Sequence, residues 1–299
     1  MRTLAFVLLA AQMGGVPAEA AKARKKRRAP TPPAEVHVKP AESIEERVGA
    51  ESAKAERILA GLKLSNLFDS AYLAAAVYYH NGFLGDFPDE KADADPARRI
   101  ESRIERTLTP ERKSAYVGLL LQYWCENAPD ADAPYPPFEV PVSYEVPAPP
   151  ARSRKRRWFR RARATHEYAV DLFTNEGTPV RSATRGVVVL ADGNWVPNEP
   201  FSTTSQKGGN SLIVFDPGAV RFLRYAHLEQ ALVTAGAVVH AGDRVGTVGH
   251  TGLNASQPRH GRHLHFEVNE FDAGRTRALG AAALWALIRG REHARSDAP

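Results

Sequence analysis

The sequence predicts an α+β protein in which a small helical module precedes an all-β domain of sandwich or barrel-like form. Apolar residues recur at helical spacing across residues 43–128, whereas residues 164–290 contain short β-rich runs separated by turn residues. Proline-rich chain lies between the two regions. With 299 residues, of which 43% are hydrophobic, the chain is long enough to bury the cores of one or two domains.

Residues 1–20 have the pattern of a signal peptide. Arg2 supplies a positive start, residues 4–11 are apolar, and residues 18–20 fit a small-x-small cleavage site. The apolar run is shorter than the about 20 residues that cross a bilayer, so we expect export to the periplasm, cell envelope or exterior and no membrane span after cleavage. Dense positive charge at residues 22–28 opposes translocation. The alternative to a signal peptide is therefore that these residues form the disordered basic N-terminus of a cytoplasmic protein.

The helical module begins after a basic and proline-rich segment, residues 21–42, that we expect to be disordered. Ser43 and Glu46 form a capping-box pattern before a helix that reaches about Leu64. A second helix is predicted over residues 67–79, and Pro110 opens a third. The position of this module before the β domain suggests either occlusion of a substrate groove or a docking platform.

A linker is predicted over residues 129–163, proline-rich at first and then strongly basic. The basic run, residues 152–163, belongs to a chain with a net charge of +6. It is interpreted either as solvated linker or as a site that attracts polyanions, which for an exported bacterial protein means anionic wall polymers or lipid head groups. Nucleic acid is not expected, because no recognisable nucleic-acid-binding fold surrounds the run.

The β domain, residues 164–290, contains six runs that are typical of strands, a closing helix over residues 279–287 and a tail over residues 291–299. Gly, Asp and Pro clusters punctuate the runs, which favours an antiparallel sandwich or barrel. The runs are residues 168–173, 186–190, 211–215, 220–227, 245–248 and 263–269.

The last of these runs contains the sequence His-Leu-His-Phe-Glu-Val, which starts at His263. On a strand, His263 and His265 point to the same side, away from the apolar residues between and after them. Burying two imidazoles side by side is unfavourable unless something uses their nitrogens, and a metal is the commonest user, although a polar face in contact with water gives the same pattern. Because Cys125 is the only cysteine, a metal would need His, Asp or Glu ligands.

The β region resembles the lysostaphin-type (LytM-type) zinc metallopeptidases, which cleave peptides of bacterial peptidoglycan. The resemblance covers about residues 165–270 and consists of several short motifs in the family's order. These are a His…Asp pair at His166 and Asp171, Gly-Thr-Pro-Val from Gly177, Gly209-Asn210, Tyr-Ala-His-Leu from Tyr225, a glycine- and valine-rich run ending at Gly249, and His-Leu-His-Phe-Glu-Val.

The resemblance implies that His166, Asp171 and His265 bind a catalytic Zn²⁺. It also implies that His227 and His263 lie beside the metal, where one takes the proton of the attacking water and the other assists the oxyanion or the leaving amine. The five-residue separation of His166 and Asp171 places them on opposite sides of a regular strand, so a bulge or a preceding loop is expected there.

Two further residues, Asn210 and Tyr225, are implied by the resemblance to line the substrate groove, although a structural role is open for each. The function implied is a zinc-dependent endopeptidase acting on peptidoglycan peptides. A non-catalytic protein of the same fold that binds or regulates peptidoglycan is the alternative.

Overall fold

The structure, a computed structural model, describes residues 42–79, 95–142, 167–258 and 260–296. Helices occupy the N-terminal part and an antiparallel β sheet the C-terminal part, which confirms the predicted α+β class. Several expectations concern residues outside the described ones, namely the signal peptide at 1–20, the segment 21–41, the basic run 152–163 and His166.

Within the described residues, four helices form a layer that precedes the sheet, and a fifth follows it. The capping box of the first helix is confirmed, since Glu46 N donates to Ser43 Oγ (3.2 Å) and Ser43 N donates to Glu46 Oε2 (2.7 Å). The helices are α1 Ile44–Ala60, α2 Ala71–Tyr79, α3 Pro96–Glu105, α4 Pro110–Asn127 and α5 Ala281–Ser296, with a 3₁₀ turn at Leu64–Asn66.

The boundaries of two helices differ from the predicted ones. Helix α1 ends at Ala60 instead of about Leu64, and α2 begins after Ser70, whose Oγ accepts a hydrogen bond from Leu73 N. Helix α3 was not predicted, although Asp95 caps it and Pro96 opens it in the favoured arrangement. None of the helices in the described ranges is long and apolar enough to cross a membrane.

In the part of the chain that the structure describes, nine antiparallel strands form the sheet, in the order β1-β8-β5-β4-β3-β6, with β9 paired to β8 and β7 joining β2 to β5. Strand β8 is central, since β5 pairs along one edge while β1 and β9 share the other. The strands are β1 Val170–Phe173, β2 Pro179–Arg181, β3 Gly186–Asp192, β4 Asn210–Asp216, β5 Arg221–Ala231, β6 Val238–Val239, β7 Arg244–Val248, β8 His263–Asp272 and β9 Arg275–Ala278.

The two faces of the sheet carry different cores. On the apolar face, Leu264, Phe266 and Val268 of β8 pack with side chains from β2, β6 and β7 and with α5. The opposite face carries the alternate residues of β8, beginning with His263, and is called the histidine face here. Part of the histidine face is apolar and packs against α1–α4 in a second core.

Helix α2 attaches the helical layer to the histidine face. Eight of its nine residues are buried, as expected for a helix that is apolar on all sides. Its final carbonyls accept hydrogen bonds from the sheet, Val77 O from Thr276 Oγ1 and Tyr78 O from Asn269 Nδ2, each at 3.0 Å. Side chains of the β domain therefore satisfy backbone groups that a helix end leaves unpaired.

The packing of the helical layer can be tested at two glycines with positive φ. A Cβ on Gly274 (φ 78°), in the β8–β9 turn, would lie 2.5 Å from Pro110 O, whereas a Cβ on Gly242 (φ 91°) would have no neighbour within 4 Å. Gly242→Ala is expected to lower the free energy of unfolding by about 1–2 kcal/mol from backbone strain alone. Gly274→Ala should lower the free energy of unfolding by about 1–3 kcal/mol more, because the new Cβ would force α4 to move. Equal losses in urea unfolding would contradict this packing.

Candidate metal centre

The centre is built on the pairing of β1 with β8. Asp171 lies opposite His265 in the register, so their side chains project from one face at close range. Asp171 Oδ1 is 2.9 Å from His265 Nδ1 and 3.7 Å from His263 Nε2. The shared face of the two histidines, expected from the strand pattern, thus also contains the carboxylate.

A β bulge adds His227 to this group. Ala226 pairs with Ser211 and Leu228 with Asn210, so His227 is the extra residue between them and has a φ of 62°. The bulge turns its ring towards β8, with ring centroids 4.9 Å from His263 and 5.6 Å from His265. A positive φ at a non-glycine residue is costly and is frequently found at functional sites.

The donors of this group suit a divalent transition metal. One ring nitrogen from each of His227, His263 and His265 lies within 4.8 Å of the others, and Asp171 adds a carboxylate whose side chain is 8% exposed. Imidazole and carboxylate ligands without thiolate are typical of catalytic zinc sites. The residues present therefore fit a metal ion.

Hydrogen bonds to backbone carbonyls determine the tautomers of two histidines. Nδ1 of His227 is 2.8 Å from Thr251 O, and Nδ1 of His263 is 2.7 Å from Gly261 O. A carbonyl only accepts, so each Nδ1 carries the proton and each neutral ring presents an unprotonated Nε2.

Burial keeps these two rings neutral. It lowers the pKa of His227 well below the ordinary value, and the nearby His265 and His263 lower that pKa further. Burial also lowers the pKa of His263, although the carboxylate of Asp171 opposes the change. Both residues are consequently available as proton acceptors at neutral pH.

His265 has a different environment. Its Nε2 lies 2.6 Å from Glu267 Oε1, so that hydrogen bond orients the ring and directs Nδ1 to Asp171. Burial disfavours its charge, but the hydrogen bonds to Asp171 and Glu267 prevail and raise the pKa of His265 to about 9. Burial likewise opposes ionisation of Glu267, yet Arg224 and His265 lower the pKa of Glu267 to about 2.

Sequence reasoning missed Glu267 as part of the site. It lies two residues after His265, and the same alternation that pairs the histidines places it on the histidine face. The strand pattern contained the signal, because the second ring nitrogen of a metal-binding histidine usually donates to a carboxylate or a carbonyl.

Tyr225, one of the two residues expected in the substrate groove, lies in the apolar core. Tyr225 is fully buried on the apolar face, and its hydroxyl accepts a hydrogen bond from Ala183 N at 2.9 Å. A side chain with no exposed surface on that face cannot contact a substrate, which corrects the expectation for Tyr225.

Asn210, the first residue of β4, joins the loop after β3 to β5 close to the bulge. Its Oδ1 accepts a hydrogen bond from Trp195 N (2.8 Å) and its Nδ2 donates to Glu229 O (2.9 Å). These hydrogen bonds give Asn210 a structural role, and its contact with substrate stays a prediction.

Comparison with known proteins finds a family match in the β region. Residues 165–277 match the model of Peptidase family M23. Glycyl-glycine endopeptidase ALE-1 of Staphylococcus capitis is 34% identical over 102 residues, which is 34% of this chain and 24% of that protein. Lysostaphin of Staphylococcus simulans is 34% identical over 106 residues, which is 35% of this chain and 18% of that protein.

Among solved structures, a zinc-containing peptidase from Vibrio cholerae is 30% identical and aligns with a TM-score of 0.27 over 36% of this chain and 27% of that chain. The matched β region, residues 165–277, is a Peptidase family M23 domain homologous to those of lysostaphin and ALE-1. The chain spans about a quarter or less of the length of these curated relatives.

The loop that holds His227 offers a test of the site's construction. Thr251 Oγ1 donates to Leu228 O (2.7 Å) and accepts from Asn210 N (2.9 Å), which positions the carbonyl that binds His227. Thr251→Val should remove both hydrogen bonds and lower the free energy of unfolding by about 1–3 kcal/mol. Thr251→Ser keeps the hydroxyl and should lose much less free energy of unfolding in the same urea titration. Equal losses in the two variants would argue against these bonds.

Proposed function

We propose that this protein is a zinc-dependent endopeptidase that hydrolyses peptide bonds in bacterial cell-wall peptidoglycan. The observation that carries the proposal is the group of three imidazoles and the Asp171 carboxylate within an M23 domain. The relatives point the same way, because one is named a glycyl-glycine endopeptidase. Identity of about a third over the matched region supports shared chemistry more strongly than a shared substrate.

Zinc binding is assigned to Asp171, His265 and His166. The first two already face each other at 2.9 Å, and the Glu267 hydrogen bond holds His265 with Nδ1 towards the site. His166 lies outside the described residues and enters on the family resemblance alone. When bound, zinc would act as a Lewis acid on the scissile carbonyl and lower the pKa of water towards about 7.

Proton transfer is assigned to His227 and His263. Each is neutral, carries its proton on Nδ1 and is oriented by a carbonyl, so Nε2 can accept a proton from water or contact the reacting carbonyl group. One would act as the general base, and the other would stabilise the developing oxyanion or protonate the leaving amine.

The cellular setting follows from the proposed substrate. Peptidoglycan lies outside the cytoplasmic membrane, which agrees with the signal peptide expected at residues 1–20. The basic run 152–163 would favour anionic wall polymers or lipid head groups near the substrate. No role in binding nucleic acid is proposed.

Metal binding should distinguish the two histidines of β8. His265→Ala is expected to weaken zinc binding strongly, whereas His263→Ala should retain zinc yet lose about 10²- to 10⁴-fold in turnover, as expected for a lost acid–base group. Metal content after gel filtration without chelators and peptide-cleavage rates measure the two effects. Retention of full zinc affinity by His265→Ala would contradict the assigned ligand set.

Substrate cleavage can be examined with purified walls of two kinds, one with glycine cross-bridges and one with direct cross-links. We expect zinc-dependent release of soluble muropeptides, with the cleaved bond identified by mass spectrometry, and far slower release by His263→Ala. A protein that contains zinc but releases nothing from either wall would favour the non-catalytic peptidoglycan-binding alternative.

A further inference from the structure

The carboxylate of Glu267 connects the helical layer to the metal centre. Its Oε1 accepts from His265 Nε2 (2.6 Å) and Arg224 Nη1 (3.2 Å), and its Oε2 accepts from the Tyr78 hydroxyl (2.6 Å). Tyr78 belongs to α2, 189 residues earlier in the chain than Glu267. The exposed fractions are 2% for Glu267, 0% for Tyr78 and 5% for Arg224, so the network is shielded from water.

We propose that Tyr78 is a positioning residue for the metal ligand His265 and acts through Glu267. The inference rests on the zinc-binding role of His265 proposed above. It assigns to the helical layer, which lies outside the M23 match, a direct part in shaping the metal site.

The division of bonds between the two carboxylate oxygens is the first argument. His265 and Arg224 share Oε1, whereas Tyr78 is the donor to Oε2. Loss of the hydroxyl would leave Oε2 buried and short of a donor, which favours rotation of the carboxylate or entry of water. Either change alters the acceptor that orients the His265 ring.

The second argument is that Tyr78 is held in register with β8. Tyr78 O accepts from Asn269 Nδ2 at 3.0 Å, and Asn269 is the next residue after Glu267 on the histidine face. The ring also packs edge-on against Tyr79, with centroids 4.9 Å apart. The same strand therefore fixes the backbone of Tyr78 and receives its hydroxyl.

The third argument concerns the proton of the hydroxyl. Burial and the nearby negative charge of Glu267 raise the pKa of Tyr78 well above its ordinary value. The phenol remains protonated across the physiological pH range and donates to the carboxylate without competing for its proton.

Tyr78→Phe in the full-length protein tests the inference, with Tyr116→Phe as the matched control. Tyr116 is also fully buried in the helical layer, but its hydroxyl has no hydrogen-bond partner within the part of the chain that the structure describes. Zinc affinity is measured by competition with a chromophoric chelator. We expect Tyr78→Phe to bind zinc about 10- to 100-fold more weakly, as found for partners of metal-binding histidines, and Tyr116→Phe to match the wild type.

A double-mutant cycle with Glu267→Gln shows whether Tyr78 acts through the carboxylate. If it does, Tyr78→Phe should weaken zinc binding much less when Glu267 is already replaced. Wild-type zinc affinity in Tyr78→Phe, or full additivity in the cycle, would overturn the inference. A wild-type protein that fails to bind zinc would instead overturn the proposed function on which the inference rests.

Thermal unfolding of the zinc-free proteins separates positioning from a general loss of stability. Positioning predicts weaker zinc binding by Tyr78→Phe at temperatures where the zinc-free variant is fully folded. Weaker binding found only where that variant is partly unfolded would overturn the inference.

Discussion

Strand β8 pairs with β5 on one edge and with β1 and β9 on the other, and its alternation organises both the fold and the site. Leu264, Phe266 and Val268 build the apolar core, while the intervening residues form the histidine face. That face carries metal-site chemistry at one end and helix contacts at the other. Because side chains alternate strictly along a strand, a shift of register by one residue would disrupt the core and the site together.

The bulge at His227 turns that side chain towards the metal centre, which regular alternation along β5 would not do. The side chains of Leu223 and Tyr225 point to the apolar core, so the next residue in that series, at position 227, would also face away from the metal centre. The extra residue interrupts this alternation at the point where β5 stops pairing with β4 and begins to pair with β7. The strained backbone is stabilised by hydrogen bonds of its N–H to Gly208 O and of its carbonyl to Gly249 N, each at 3.0 Å.

The helical layer and the M23 domain are joined by more than apolar packing. Arg224 of β5 and Glu267 of β8 form a buried ion pair on the histidine face, and both Tyr78 of the helical layer and His265 bond to Glu267. A buried pair of this kind is costly to desolvate unless its hydrogen bonds are complete. The surroundings of the metal centre thus depend on residues far from it in sequence, while the occlusion and docking roles considered for the layer stay predictions.

Local pattern in the sequence determined the α+β class, the capping box at Ser43, the strand of β8 and the grouping of His263 with His265. Each of these depends on periodicity or on residues a few positions apart, which a single sequence displays directly. Tertiary structure alone decided that Tyr225 faces the apolar core, that a bulge turns His227 towards β8, and that Tyr78 reaches Glu267. These features depend on strand register and on packing between distant segments, and neither leaves a periodic signal in the chain.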